Sequence, residues 1–180
     1  EYADAGAVSC VGINDVDASQ HVVSQLADGG RKRIALINHD LSYKYARLRE
    51  RGYKSVIHLR DLDYQAVEYA SELSSSAGMA AMQNLLKANP PDAVFAVSDT
   101  LAAGALRAIQ QAGLRVPEDI AVVGFDGTEL AEMISLTTIE QPSRDIGRKA
   151  VNLLLNKIDN PDAPTERVMM DWRFISRAST

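Results

Sequence analysis

The chain has 180 residues, 46% of them hydrophobic and 24% charged, with a formal net charge of -5. That is the composition of an ordinary soluble globular protein, long enough for one good core or for one domain and a piece of another. No apolar run approaches the roughly 18 residues of a membrane span, the single Cys10 excludes an internal disulfide and a cysteine-rich zinc site, and the acidic balance lacks the basic footprint usual in nucleic-acid-binding modules.

The opening residues EYADAG carry no basic region followed by an apolar run, so no signal peptide is visible, although a processed leader would leave the same absence. Residues 11–13 read as a strand end. Residues 17–28 set Ala18, Val22, Val23 and Leu26 on one helical stripe, stopped by Gly29-Gly30. Arg33 to Ile37 reads as a short buried strand. Residues 43–57 read as a helix with Leu48, Gly52 and Val56 inward. Gln65 to Tyr69 suits a strand, and serines 74–76 offer caps for a helix over 77–88. Ala93 to Val97 is the next strand, 100–112 the next helix, closed by Gly113, and Ile120 to Gly124 a further strand. Leu136 to Glu140 is short and extended. Pro142 to Ile158 forms a strongly amphipathic helix, with Pro142 in its first turn and Ile146, Val151, Leu154, Leu155 and Ile158 apolar. Arg167 to Ile175 reads as one or two strands.

Strand and helix alternate, and the strands are apolar on both faces. Such strands need cover on each side, which predicts an α/β fold with a parallel sheet between helix layers. Ligands of these sheets bind past the carboxyl ends of the strands. The polar groups at those ends are Asn38-His39-Asp40, Ser98-Asp99 and Asp126.

Each candidate has a structural and a functional reading. Asp126, between Gly124 and Gly127, can take hydrogen bonds from a ligand or close its own turn. Asp99 suits an N-cap of the helix that follows, or a ligand contact. Arg49 shares a helical face with Tyr45, while Arg47 points elsewhere. Its spacing suits a solvated helix charge, and its planar fork of donors suits a carboxylate, phosphate or hydroxyl pair. Tyr43 and Tyr45 fit pocket rings or half-buried surface residues. The basic runs Arg31-Lys32-Arg33 and Lys44 to Arg51 read as solvated turn and helix charges. His21, His39 and His58 have no metal-like spacing and read as structural or solvent-facing. No nucleophile elbow, dinucleotide fingerprint or Walker sequence occurs, so no reaction, metal or cofactor is expected.

Longer blocks carry a resemblance. They include Gly30-Arg31-Lys32-Arg33-Ile34-Ala35, Ala46-Arg47-Leu48-Arg49-Glu50-Arg51-Gly52-Tyr53 and Pro91 to Asp99. Ala102-Ala103-Gly104-Ala105, Gly113 to Asp126, Leu136-Thr137-Thr138-Ile139, Gln141-Pro142 with Gly147, and Arg177-Ala178-Ser179-Thr180 follow. In this order, over nearly the whole chain, they resemble the effector-binding core of LacI/GalR-family transcription regulators. The resemblance implies the type I periplasmic-binding-protein-like fold. That fold has two Rossmann-like α/β/α subdomains joined by three crossovers, with effector between them. Residues 1–13 would end the N-terminal subdomain. Residues 14–141 and 171–180 would form the C-terminal, effector-binding subdomain, and 142–170 would belong to the N-terminal one.

The family's helix-turn-helix domain and most of its N-terminal subdomain have no counterpart in these residues, so the chain is expected to be a fragment. Helix 142–158 would then lack its usual sheet, and altered packing, a dimer across its stripe, or disorder is expected. The resemblance implies effector contacts from Arg49 and Asp126, with Tyr43, Tyr45, Leu73 and Ser98 lining the pocket. Relatives often carry a small hydroxyl residue at the place of Tyr45, a stacking aromatic at Leu73 and asparagine at Ser98, so the effector's identity stays open. The implied protein is a bacterial repressor sensing a sugar or nucleoside/purine-like molecule. It would be a cytoplasmic homodimer that reaches operator DNA through a domain absent from this chain. The rival reading is a periplasmic sugar-binding protein of a transport system, which shares the architecture.

Overall fold

The computed structural model describes residues 8–180; the opening hexapeptide and the front of the span 1–13 lie outside the described residues. The chain divides into two compact units. The larger comprises Asp15–Glu140 and Arg173–Thr180, and the smaller comprises residues 8–14 with Gln141–Trp172.

The larger unit begins with helix α1 (Asp15–Asp28), which buries the expected stripe Ala18, Val22, Val23 and Leu26. In the smaller unit, strand β1 (Cys10–Gly12) precedes it. Strand β2 (Ile34–Asn38) is buried along its whole length. Helix α2 (Lys44–Leu59) follows, then strand β3 (Ala66–Tyr69) and helix α3 (Ser75–Ala88). Ser74 caps α3, its hydroxyl accepting from the Ala77 amide at 3.1 Å. Strand β4 (Ala93–Ala96) leads to helix α4 (Asp99–Gln111), and strand β5 (Ala121–Asp126) is buried up to Phe125. A five-residue helix α5 (Glu129–Met133), unforeseen from the sequence, joins β5 to strand β6 (Thr137–Glu140). It is too short to show a periodic stripe.

The sheet order is β3-β2-β4-β5-β6-β8, where β8 is Arg173–Ile175. All neighbours are parallel except β6 and β8. Helix α1 packs on α2, and α3 on α4. The chain steps one way from β2 to β3 and back the other way from β3 to β4. With right-handed crossovers that reversal sets α2 and α3 on opposite faces, giving the expected three layers. It also makes the carboxyl ends of β2 and β4 the switch point of the sheet, where such folds leave a crevice.

The α3–α4 contact is close. A Cβ on Gly104 would meet the Ser75 carbonyl oxygen and stand 2.6 Å from the Met79 amide nitrogen. The chain's end is pinned as well. Ser179 Oγ donates to Val122 O at 2.6 Å and accepts from the Thr137 amide at 2.8 Å, and Arg177 Nη1 donates to Leu136 O at 2.7 Å.

In the smaller unit, β1 pairs in parallel with strand β7 (Arg167–Met169). Helix α6 (Ser143–Asp159) begins one residue after Pro142, which stands at the N-cap rather than in the first turn. Leu153 is its one buried residue. Val151, Leu154, Leu155 and Ile158 are 53–63% exposed. The helix is therefore formed, and the apolar stripe read from the sequence has little cover among the described residues.

Candidate functional site

In the larger unit Arg49 stands beside one of the expected strand-end groups, Asp126, and against Tyr45, which contacts another, His39. The sequence pattern suits a solvated helix charge there, and the structure corrects it: Arg49 is 5% exposed, and Glu50 beside it 6%. The inner face of α2 thus carries two charges among Ala46, Gly52, Tyr53, Val56 and Ile57, while Leu48 is only half-buried. A buried charge stays ionised only when paired and hydrogen-bonded. Arg49 Nε donates to Asp15 Oδ1 at 2.8 Å, and Asp15 is itself buried. Arg49 Nη1 donates to Val97 O at 2.6 Å. The Arg49 Cζ lies 3.5 Å from the centroid of the Phe125 ring and 5.0 Å from that of Tyr45. Two anchors and two ring faces fix the plane of the guanidinium.

Asp126 stands beside it, with Oδ1 3.7 Å from Arg49 Nη1. That is an ion-pair distance, too long for a hydrogen bond. The Asp126 side chain is 36% exposed. Its backbone has φ 114°, rare for a residue with a Cβ, and Gly127 follows at φ 71°. A Cβ on Gly127 would stand 2.5 Å from Glu140 Cα, so only glycine lets the chain turn beside β6 here.

The turn is held by Asp99, and here the structure changes the reading. Asp99 does not cap α4; Ser98 does, its hydroxyl accepting from the Leu101 amide at 3.2 Å. The fully buried Asp99 carboxylate instead accepts from the Thr128 amide at 2.7 Å, the Thr128 hydroxyl at 2.9 Å and the Thr138 hydroxyl at 2.6 Å. It ties the start of α4 to the loop after Asp126 and to β6. Ser98 is 5% exposed, with its hydroxyl engaged as a cap.

Tyr43 and Tyr45 form a ring cluster with His39. The His39 centroid is 5.0 Å from that of Tyr43 and 6.3 Å from that of Tyr45, and its Nδ1 lies 2.8 Å from the Tyr45 hydroxyl. Tyr43 is 38% exposed. Leu73 is half exposed in the turn before α3, and its place in the group rests on the resemblance alone.

Two members escaped the sequence reading, and a third was only half legible. Asp15 looks like an ordinary first-turn helix acid and Phe125 like one more core residue, while His39 stands among the strand-end polar groups but by itself reads as structural or solvent-facing. Phe125 had a usable signal, since it immediately precedes the strand-end aspartate. The assembly presents a fixed cation, a half-exposed carboxylate beside it, and aromatic faces. Such a set suits a ring bearing hydroxyl or amide groups. Among the described residues no group of three His, Cys, Asp or Glu could hold a metal ion, and no helix is long and apolar enough to cross a membrane.

Residues 23–180 match the family model described as a periplasmic binding protein-like domain. The ribose operon repressor of Haemophilus influenzae is 36% identical over 160 residues, covering 86% of this chain and 48% of that protein. The HTH-type transcriptional repressor CytR of Escherichia coli strain K12 is 35% identical over 187 residues, covering 100% and 54%. The chain thus spans about half the length of the curated relatives it matches. Among solved structures, an uncharacterised protein of Actinobacillus succinogenes superposes with a TM-score of 0.96 at 49% identity, covering 100% of this chain and 68% of that one. A LacI family transcriptional regulator of Enterococcus faecium with bound ribose gives 0.89 at 29% identity, covering 96% and 65%.

Proposed function

Because the chain belongs to the LacI family of transcriptional regulators and carries their periplasmic-binding-protein-like domain, we propose that it is the effector-sensing core of a bacterial repressor. The effector is a small sugar or nucleoside-like molecule. The observation that carries this reading is the Arg49–Asp126 arrangement: a guanidinium fixed by Asp15 and Val97 O, with a carboxylate beside it at an ion-pair distance of 3.7 Å. A donor and an acceptor so spaced are poised for a vicinal diol or an amide edge, and Tyr43 and Tyr45 supply apolar faces for the ring. Leu73 and Ser98 complete the lining in this assignment.

Residues 14–141 and 171–180 are assigned to the effector-binding C-terminal subdomain, and 1–13 and 142–170 to the N-terminal one. The division into units near Asn14, Gln141 and Trp172 supports that assignment. The relatives named as repressors and the ribose-bound neighbour favour a regulator over a transport protein. Regulation then consists of a differential affinity of about 1–3 kcal/mol for two arrangements of the regulator. In this reading a homodimer in the cytoplasm reads a two-fold operator through a helix-turn-helix domain outside the present chain.

The test is a thermal-shift screen of the full-length regulator against D-ribose, related pentoses and nucleosides. A ligand of this site raises the unfolding midpoint. Arg49→Ala and Asp126→Ala each abolish that rise. An unchanged rise in both variants would remove the site assignment.

A further inference from the structure

Helix α2 turns a second set of side chains to solvent, away from the buried Arg49. Arg47, Arg51 and Lys54 recur at intervals of four and three and so share a helical face. With Leu41, Glu50 and Ser55 they line an open groove of about 480 Å³. Three cations against one carboxylate leave the lining with an excess of two positive charges, on a chain whose formal net charge is -5.

The three cations are committed to different degrees. Arg47 Nη1 donates to Leu41 O at 2.6 Å and Ser42 O at 2.7 Å, which fixes the loop at the groove's rim. Lys54 Nζ lies 2.6 Å from Glu50 Oε1. Glu50 is further satisfied by Asn38 Nδ2 at 2.9 Å and the Tyr69 hydroxyl at 3.1 Å. Arg51 is exposed and makes no hydrogen bond or ion pair among the described residues. Loop anchoring accounts for Arg47 and carboxylate pairing for Lys54. No hydrogen bond or ion pair among the described residues accounts for Arg51 at the centre of the stripe.

We propose that this groove is a second ligand site, for a small, multiply charged oxyanion of the phosphate-monoester type. A guanidinium offers paired parallel donors matched to two phosphate oxygens, and a dianion gains from Lys54 and Arg47 as well. Glu50 already has its donors, so it does not compete for Arg51. A concave wall with a single apolar member, Leu41, and a hydroxyl, Ser55, leaves room for a compact polar remainder beside the phosphate. The proposal is independent of the effector reading, because the groove shares none of that site's contacting side chains.

The experiment is a titration of the chain with inorganic phosphate at constant ionic strength, balanced with chloride, followed by backbone amide spectra. The expected result is saturable shifts confined to residues 41–55, with a Kd of about 1 mM. Arg51→Ala weakens that binding roughly tenfold or more, since the bidentate partner is lost. Arg60→Ala removes an equal charge at a different pair, Arg60 Nη2 to Asp28 Oδ1 at 2.8 Å, and leaves binding unchanged. Shifts that fail to saturate, that survive Arg51→Ala, or that weaken equally in Arg60→Ala overturn the proposal.

Discussion

A guanidinium removed from water is costly unless its surroundings replace the lost hydration, and Arg49 sets out what that replacement is. Asp15 neutralises it, Val97 O takes a second donor, and Phe125 covers its face. Removing only Asp15 therefore leaves a buried cation without its counter-charge. Asp15→Ala should cost about 3–5 kcal/mol of folding stability, whereas Asp15→Ala combined with Arg49→Met should cost far less. Urea unfolding of the two variants, compared by midpoint, checks this. Equal losses would mean that Asp15 acts through something other than Arg49. Asp99 poses a related case. Asp99→Ala strands the Thr128 amide and the Thr138 hydroxyl together, and loss of about 2–3 kcal/mol follows from leaving such groups unsatisfied. The same residue marks where local pattern stops being informative. Its own stretch suits Asp99 to an N-cap of α4, yet Ser98 takes that place. The choice is made by Thr128 and Thr138, which lie 29 and 39 residues further on.

Among the elements, those legible in the sequence are the ones whose signal is contained in their own residues. Strands β2, β4 and β5 read as unbroken apolar runs because both faces are covered, and Asp126, the polar residue after such a run, stands at the end of β5. Helix α2 is legible in its period while its inner face is not, because a charge on a helix reads as solvated until its buried partner is known. Helix α5 has five residues and no period to find. The α3–α4 packing lies between these cases: Gly104 is a small residue within a helix, but its reason is the backbone of α3. A methyl there meets Ser75 and Met79 main-chain atoms, which cannot rotate away. Gly104→Ala should therefore destabilise by about 1–3 kcal/mol, despite alanine's better helix propensity. Chemical denaturation at fixed pH measures it, and a gain in stability would show that the two helices separate without cost.

At the scale of the whole molecule, the polar network around α2 contributes to how stability responds to pH. Burial alone would raise the Glu50 carboxyl, but hydrogen bonds from Lys54, Asn38 and Tyr69 outweigh it and hold it below its ordinary 4.5. A carboxylate depressed in the folded state stabilises above its unfolded value, and that contribution is lost as pH falls through the folded one. At the alkaline end Tyr53 acts in the opposite direction. Burial is the main cause that drives its phenol well above the ordinary 10.0, while its hydroxyl donates to Ile34 O at 2.7 Å. Above pH 10 the unfolded chain sheds this proton and the folded chain keeps it. The folded state then binds more protons, so stability falls as pH rises. Tyr64 and Tyr69 are raised as well, chiefly by burial, and act in the same sense. Tyr53→Phe removes the largest of these contributions. The variant should lose about 1 kcal/mol near neutral pH through the missing hydrogen bond. Urea midpoints measured at intervals between about pH 7 and 11 should then decline less steeply than in the parent chain. A parallel decline in both would show that the alkaline loss arises elsewhere, since Tyr53 is the most deeply buried of the raised phenols.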